Sequence, residues 1–371
     1  MTILIDLTSL YFHLTGIERY AANMTKQMLD RHPESGYILV FANEIPEMFG
    51  EYKKRENIRM IVLPCRSRLW FNQIRMPVSL YRHKADVYFF PAFCAPWMFW
   101  GHAVVSTIHD MSDFECWRGK QRLKVLYSRL GIYHAKHSAK KILTVSEFSK
   151  NRICSILGIA REKVHTAYNG VFNIKKENTK SWEAIKDKYV LPSRYLLSVS
   201  TLEPRKNIKL LIDAFSEIMQ EDDSLNLVLC GRAGWNMKEV LGNISTAHDR
   251  IRITGFVADE DLPEIYRHAE LFVFPSKYEG FGIPPLEAMS MGCPVISSDA
   301  SSMPEILEDA AIYFKSDDRN DLIRRIGEML SMPQEEKRSI IDKGLMQAKK
   351  YCWGDESEKV YAALMQAAKQ N

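Results

Sequence analysis

Long apolar runs, paired cysteines and internal repeats are all missing from this chain of 371 residues. Its most apolar window, Val87 to Val105, is interrupted by Pro91, Pro96 and Gly101 and includes His102. A spanning helix needs roughly 20 consecutive apolar residues, so this window is not one. The opening MTILIDLTSL starts a strand at once, with no basic leader and no long apolar core, and is read as carrying neither signal peptide nor anchor. The seven cysteines (65, 94, 116, 154, 230, 293 and 352) are odd in number, scattered and without metal-type spacing. That pattern argues against a disulfide framework or a zinc site and for reduced thiols in a cytoplasmic protein. There is no low-complexity tract and no nucleic-acid-reading motif.

What is present is the composition of ordinary globular domains: 46% hydrophobic and 26% charged residues, in a length that suits two domains each with its own core. Net charge is only +4 but unevenly placed. Residues 1–180 hold 27 Lys and Arg against 15 Asp and Glu, a surplus of +12, whereas residues 181–371 hold 23 against 31, a balance of −8. The basic first half suggests an anionic partner such as a lipid phosphate or a membrane surface; a solvated basic face without a partner has the same composition.

Short apolar strands alternate with helical stretches in both halves, the pattern of an α/β fold with parallel sheets. In the first half strands are read at 3–7, 37–42, 58–63, 87–90, 103–108, 141–145 and 164–168. Helices are read from about Glu18 to Arg31, near 71–83, over 121–141, and from a Ser146 cap toward Leu157. In the second half strands are expected at 195–200, 225–230, 250–254, 271–274 and 294–297, with helices at 207–219 and 355–369. The domains are accordingly set at 1–175 and 194–354, with a polar, lysine-rich linker at 176–193 and a last helix at 355–371.

Two stretches of the basic half stay open on residues alone. Phe93, Trp97, Phe99 and Trp100, after the strand at 87–90, fit either packed core or a lipid-facing lip. In the helix at 121–141, Leu123, Tyr127, Leu130 and Tyr133/His134 form a stripe near Lys120, Arg122, Lys124, Arg129 and Lys136. It reads as an ordinary domain helix with its stripe inward, or as a helix lying on an anionic membrane.

The chemistry gathers after the strand Leu271–Phe274, where Pro275 closes the strand and a loop carries Glu279, Gly280, Phe281 and Gly282. Pro284 and Pro285 suit the first turn of a helix that runs through Glu287 to about Met291, and Gly292 supplies a left-handed stop. The glycines flanking Phe281 let amides at the helix N-terminus approach an anion such as phosphate. Glu279 in the loop and Glu287 in the first turn would face the same mouth, where carboxylates accept well from vicinal hydroxyls. Phosphate plus diols describes a nucleotide sugar. On these two residues alone, a favourable acid near a helix start and a solvated loop acid fit as well.

In EGFGIPPLEAMSMGCPVI the two glutamates stand with seven residues between them, and MPEI follows. This motif resembles the retaining glycosyltransferases of the two-Rossmann-domain type, the GT-B fold, in their group 1 or family 4 form. The likeness is clearest over the second half and holds in outline over the first. The adjacent His109 and Asp110, at the end of the strand at 103–108, resemble the form seen in transferases of bacterial surface-polysaccharide pathways, several of them mannosyltransferases.

The resemblance implies two Rossmann-like domains facing across a cleft, the last helix crossing back to the first domain. Glu287 would hold the ribose diol, Glu279 a hydroxyl of the donor sugar, and the backbone of Gly280, Phe281 and Gly282 its sugar or phosphate oxygens. Arg205 and Lys206, after the strand at 195–200, would stabilise the departing diphosphate. Gly16 would lie beside the donor phosphates and the acceptor, and the backbone at Gly255 and Val257 would meet the base. His109 would touch the donor sugar from the first domain, so that catalysis requires closure. Asp110 would either orient His109 or bind an acceptor hydroxyl.

The implied reaction is metal-independent transfer of a hexose with no cofactor and no evident enzymic nucleophile, so the glutamates are not a glycosidase pair. GDP-mannose is the expected donor, a UDP-sugar or other nucleotide sugar the alternative. The expected acceptor is a saccharide, carried on a lipid diphosphate, with peripheral contact at the inner membrane face. The pairs Asp222/Asp223 and Asp317/Asp318 are read as loop or helix-end charges. A phosphorylase would need a pyridoxal-bearing lysine segment and far more chain, while Arg205, Lys206, Glu279 and Glu287 together argue against a silent sugar-nucleotide-binding module.

Overall fold

The computed structural model describes residues 1–11, 15–65, 70–116, 122–171, 180–236, 240 and 248–369. Lys120, Gln121 and residues 172–179, the first part of the expected linker among them, lie outside these. The chain forms two compact units, Met1–Gly170 with Cys352–Asn371, and Val171–Tyr351.

The first unit is built on seven parallel strands: β1 (Thr2–Asp6), β2 (Gly36–Ala42), β3 (Ile58–Leu63), β4 (Val87–Phe90), β5 (Val104–Thr107), β6 (Ala139–Thr144) and β7 (Val164–Thr166). Their order is β3-β2-β1-β4-β5-β6-β7, with Ile3 opposite Tyr37 on one side and Val87 on the other. Ile3, Leu4, Ile5, Val87, Phe89 and Phe90 are buried, which explains why these segments read as unbroken apolar runs: a central parallel strand has no wet face. Helix Gly16–Arg31 follows β1 and is opened by a capping box, in which the Thr15 amide donates to Glu18 Oε2 at 3.0 Å and the Thr15 hydroxyl bonds the same carboxylate.

Helix Arg122–Ser138 is shorter than its sequence suggests, because Ala139, Ile142 and Leu143 are buried in β6. Its orientation overturns the inward reading: Val125, Ile132 and Ala135 are buried, whereas Leu123, Leu130 and Tyr133 are exposed. The aromatic segment before it divides between the two readings, with Phe99 buried and Phe93 and Trp100 exposed.

The last helix, Trp353–Lys369, belongs to the first unit. Tyr361 stacks on His32 with ring centroids 3.5 Å apart, His32 Nε2 lies 3.0 Å from Glu358 Oε2, and the Tyr168 amide donates to Glu356 at 2.9 Å.

The second unit has six parallel strands, β8 (Tyr195–Val199), β9 (Asn226–Cys230), β10 (Ile251–Gly255), β11 (Leu271–Phe274), β12 (Val295–Ser298) and β13 (Ile312–Phe314), in the order β10-β9-β8-β11-β12-β13. The amphipathic helix Ile208–Glu221 lays Leu211, Ile212 and Phe215 onto a core with Leu196, Val273 and Ile296. The second half of the lysine-rich linker is part of this unit. Its helix Trp182–Tyr189 is tied down by fully buried Asp261, which accepts from Lys188 at 2.6 Å, Lys180 at 3.0 Å and the Tyr189 hydroxyl at 2.9 Å. Burial alone would raise the Asp261 carboxyl, but these donors outweigh it and hold it below the usual range. A buried carboxylate thus turns a polar, linker-like sequence into ordered structure.

Phe215 has no exposed surface, so Phe215→Ala is expected to cost about 3–5 kcal/mol. Urea unfolding followed by circular dichroism should show it; a midpoint unchanged from the parent would contradict the core assigned here.

Candidate active site

In the second unit the chain leaves β8 to one side of the sheet and β11 to the other, so the loops after these neighbouring strands part at a topological switch point, where open α/β sheets bind ligands. The two loops carry the motif residues. After β8 come Glu203, Pro204, Arg205, Lys206 and Asn207, the last in the left-handed region at φ 55° as the chain turns into helix Ile208–Glu221. After β11 come Tyr278 to Gly282, and the Lys277 amide donates to the Arg205 carbonyl at 2.9 Å, joining the loops.

Glu279 is 6% exposed and lies between the two cations. Its Oε2 accepts from Arg205 Nη1 at 3.1 Å, and its Oε1 pairs with Lys206 Nζ. Arg205 also donates through Nη1 to the Tyr278 carbonyl at 2.6 Å and through Nε to Glu203 Oε1 at 3.1 Å. Burial alone would raise the Glu279 carboxyl, but the charges of Lys206 and Arg205 outweigh it and hold the group below the usual carboxylate range. Lys206 moves down, chiefly through burial and against the pull of Glu279. The cluster carries two positive charges against Glu279, with Glu203 at its edge.

The backbone around Glu279 is also fixed. Its amide donates to Ser301 Oγ at 2.8 Å, while the Ser302 hydroxyl reaches the carbonyls of Glu279 at 3.1 Å and Phe281 at 3.3 Å. Ser301 holds φ 56°, an uncommon conformation for a residue with a Cβ. Gly282 stands at φ 90° immediately before helix Ile283–Ser290, and a Cβ there would come 2.4 Å from Met303 Cε. The positive φ favours glycine at the point where the helix amides open toward the rim, and any larger residue would also have to displace the end of the Met303 side chain.

Glu287 corrects the sequence reading in one respect: it is the fifth residue of its helix, in the second turn and not the first. It is 6% exposed and its Oε2 accepts from the Tyr266 hydroxyl at 3.0 Å. The readings of Glu279 as a solvated loop acid and Glu287 as an acid that merely suits a helix start both fail on this burial.

The neighbouring loops are laced to the first. Leu202 donates to the Arg232 carbonyl at 2.9 Å, Gly234 to Leu202 at 3.0 Å, and Gly231 to Gly255 at 2.8 Å. Gly255 holds φ 72°, and Val257 behind it is buried. Phe281, expected to offer its backbone, packs its ring edge-on against Tyr351 with centroids 5.3 Å apart.

Gly16, His109 and Asp110 belong to the first unit. Gly16 is the first residue of its helix. His109 leaves β5 with Nε2 donating to the Pro91 carbonyl at 2.9 Å, which leaves Nδ1 as the acceptor, and Tyr20 meets the ring edge-on at 5.0 Å. Asp110 Oδ1 accepts from the Ser112 amide at 2.8 Å, so the His109 ring is oriented by Pro91 and Asp110 steadies its own turn.

Among the described residues no group of three or more His, Cys, Asp or Glu is disposed to hold a metal ion. Asp318 caps helix Arg319–Ser331, Asp317 pairs with Lys277 at 2.7 Å, and Asp222 bonds Arg194 and Ser224. Sequence reasoning missed Glu203, Tyr266, Ser301 and Ser302. The two serines sit beside the MPEI signature, whereas nothing in the sequence marks Tyr266 as a partner of Glu287.

Desolvation lowers the His109 pKa to about 4 from 6.5, against weaker opposition from the Pro91 carbonyl and Asp110. The folded state then binds fewer protons than the unfolded chain across that window, so stability falls as pH drops through it, by up to about 3 kcal/mol. A His109→Asn protein should lose less melting temperature than the parent on the same acidification; parallel curves would rule out this linkage.

Comparison with known proteins gives the family and the fold. The glycosyl transferases group 1 family matches residues 180–345, and glycosyltransferase family 4 matches residues 14–172. The chain is 30% identical over 372 residues to the O-antigen chain mannosyltransferase B of Escherichia coli, covering 95% of this chain and 96% of that protein. It is 30% identical over 230 residues to the O-antigen chain mannosyltransferase RfbU of Salmonella typhimurium, 61% of each chain. Among solved structures, Anabaena HepE in complex with UDP and glucose aligns with a TM-score of 0.75 at 18% identity, covering 99% of this chain and 100% of its own. Sucrose-phosphate synthase from Thermosynechococcus elongatus aligns with a TM-score of 0.77 at 16% identity over 100% of both chains. Two Rossmann-like units of the GT-B fold, matched in both halves and by a full-length relative, make this chain a member of the group 1, family 4 glycosyltransferases.

Proposed function

We propose that this glycosyltransferase moves mannose from GDP-mannose, with retention of anomeric configuration, onto a saccharide carried on a lipid diphosphate, in surface-polysaccharide synthesis at the inner face of the cytoplasmic membrane. The observation that carries the reading is the Glu279–Arg205–Lys206 cluster at the switch point of the second unit. A diphosphate gains negative charge as the glycosidic bond breaks, and two fixed cations favour that moment over the bound ground state. Glu279 keeps the pair in place and retains acceptor capacity for a sugar hydroxyl beyond its two ion pairs. Glu287 takes the ribose diol, the amides from Gly280 to Gly282 take phosphate or sugar oxygens, and the backbone at Gly255 and Val257 takes the base. Gly16, His109 and Asp110 are assigned to the donor phosphates, the donor sugar and the acceptor. The names of the Escherichia coli and Salmonella relatives favour mannose and an O-antigen type of product. The complex of Anabaena HepE with UDP and glucose supports a second reading, a UDP-sugar donor.

Because cations of the protein face the leaving group, transfer is expected to persist in EDTA, and full loss of turnover there would overturn the metal-independent scheme. Arg205→Ala and Glu287→Ala should each lower transfer roughly 10²–10³-fold with the far-ultraviolet spectrum unchanged; turnover near that of the parent in either protein would end these assignments. A panel of nucleotide sugars separates the donors: GDP-mannose should raise the melting temperature and be hydrolysed or transferred, and a response confined to UDP-sugars would select the second reading. Nucleotide binding without release of product would point instead to a silent binding module.

A further inference from the structure

We infer that one face of the first unit docks flat on an anionic lipid bilayer, and that this face is made by the helical run Trp70–Arg82, the loop bearing Met98 and Trp100, and the outward side of helix Arg122–Ser138. This deepens the membrane placement proposed above but rests on different residues from the donor site. Helix Arg122–Ser138 fills its inward side with Val125, Ile132 and Ala135 and leaves Leu123 82% exposed, with Leu126, Leu130 and Tyr133 exposed along the same stripe. The run Trp70–Arg82 repeats the arrangement. Phe71, Met76 and Leu80 are buried, whereas Trp70, Ile74, Val78 and Tyr81 are exposed at spacings of three and four residues, which puts them on one side of a helix.

The three pieces form one surface. Gln73 Nε2 donates to the Tyr127 hydroxyl at 2.9 Å, linking the two helices. The Tyr81 hydroxyl donates to the Met98 carbonyl at 3.3 Å and accepts from the Trp100 amide at 3.1 Å, and Trp100, 62% exposed, meets the His134 ring at 4.8 Å. Exposed apolar side chains gathered in this way on a folded domain mark a site of interaction.

Charge selects the occupant. Among the described residues between 70 and 140 there are 8 Lys and Arg against 4 Asp and Glu. Arg82, Lys84, Arg122 and Lys124 are exposed beside the apolar stripes. A second copy of the chain docked through the same patch would gather both sets of these four cations, eight in all, into one interface. An anionic lipid surface answers them while accepting leucine, tryptophan and tyrosine at headgroup depth. No described helix is long and apolar enough to cross a membrane, so the face lies on the bilayer and does not span it.

The test is co-sedimentation of the full chain with vesicles of phosphatidylcholine alone or mixed with phosphatidylglycerol. The parent should pellet with the mixed vesicles, less so at high salt. L126E/L130E should weaken that binding about tenfold or more, and R122E/K124E should remove the preference for phosphatidylglycerol. All four positions are exposed, so melting temperature and nucleotide release without vesicles should stay as in the parent. Failure of the parent to bind mixed vesicles, or equal binding by L126E/L130E, overturns the proposal, as does a concentration-dependent dimer that L126E/L130E abolishes. Nucleotide release is read separately, so a transferase that ignores vesicles and a vesicle-binding protein that ignores nucleotide sugars are told apart.

Discussion

A carboxylate taken almost wholly out of water stays ionised only where opposite charge and hydrogen-bond donors stand close by. In this protein Glu279 meets that condition through Arg205 and Lys206, and the constraint acts in both directions. The carboxylate keeps its charge because the cations are there, and two adjacent cations tolerate partial burial because the carboxylate lies between them. The rim after β8 and β11 is therefore a charged arrangement whose reorganisation was already made during folding.

The fold supplies that arrangement through topology. Strand order β10-β9-β8-β11-β12-β13 sends the chain in opposite directions from β8 and β11, which opens a crevice between the loops that follow them. Arg205 and Lys206 come from one loop and Glu279 from the other, so the ion pairs span the crevice floor and staple the two halves of the sheet together. Ser301 and Ser302, from the segment after β12, then hold the Glu279 backbone, and the strained φ of Ser301 is a local cost that this anchoring offsets.

Legibility followed the range of the forces involved. Parallel strands could be read because burial on both faces demands continuous apolar runs, and the helix after β11 because prolines at its start and a left-handed glycine after its end are local requirements. The acids and cations of the site were visible as residue types. Their mutual pairing was not, since Glu279 and Arg205 are 74 residues apart and meet only when β8 and β11 become neighbours. The linker misled for a related reason: lysines at 180 and 188, half-exposed even in the fold, read as linker charge because their buried partner, Asp261, lies far along the chain. The outward stripe of helix Arg122–Ser138 could not be oriented either, because an amphipathic pattern tells which residues share a side and not which way that side turns.

From the order of its residues alone, this protein's α/β class, its two-domain division, the EGFG-to-glutamate motif and the charge imbalance between its halves were determined, because each depends on local propensity, periodicity or simple counting. The tertiary structure decided that Glu279 is shared by two cations, that Glu287 is held by Tyr266, and that an apolar, cation-flanked face of the first unit looks outward. Those outcomes depend on contacts between distant segments, and the field around a charge or the exposure of a side chain has no value until the chain has closed around it.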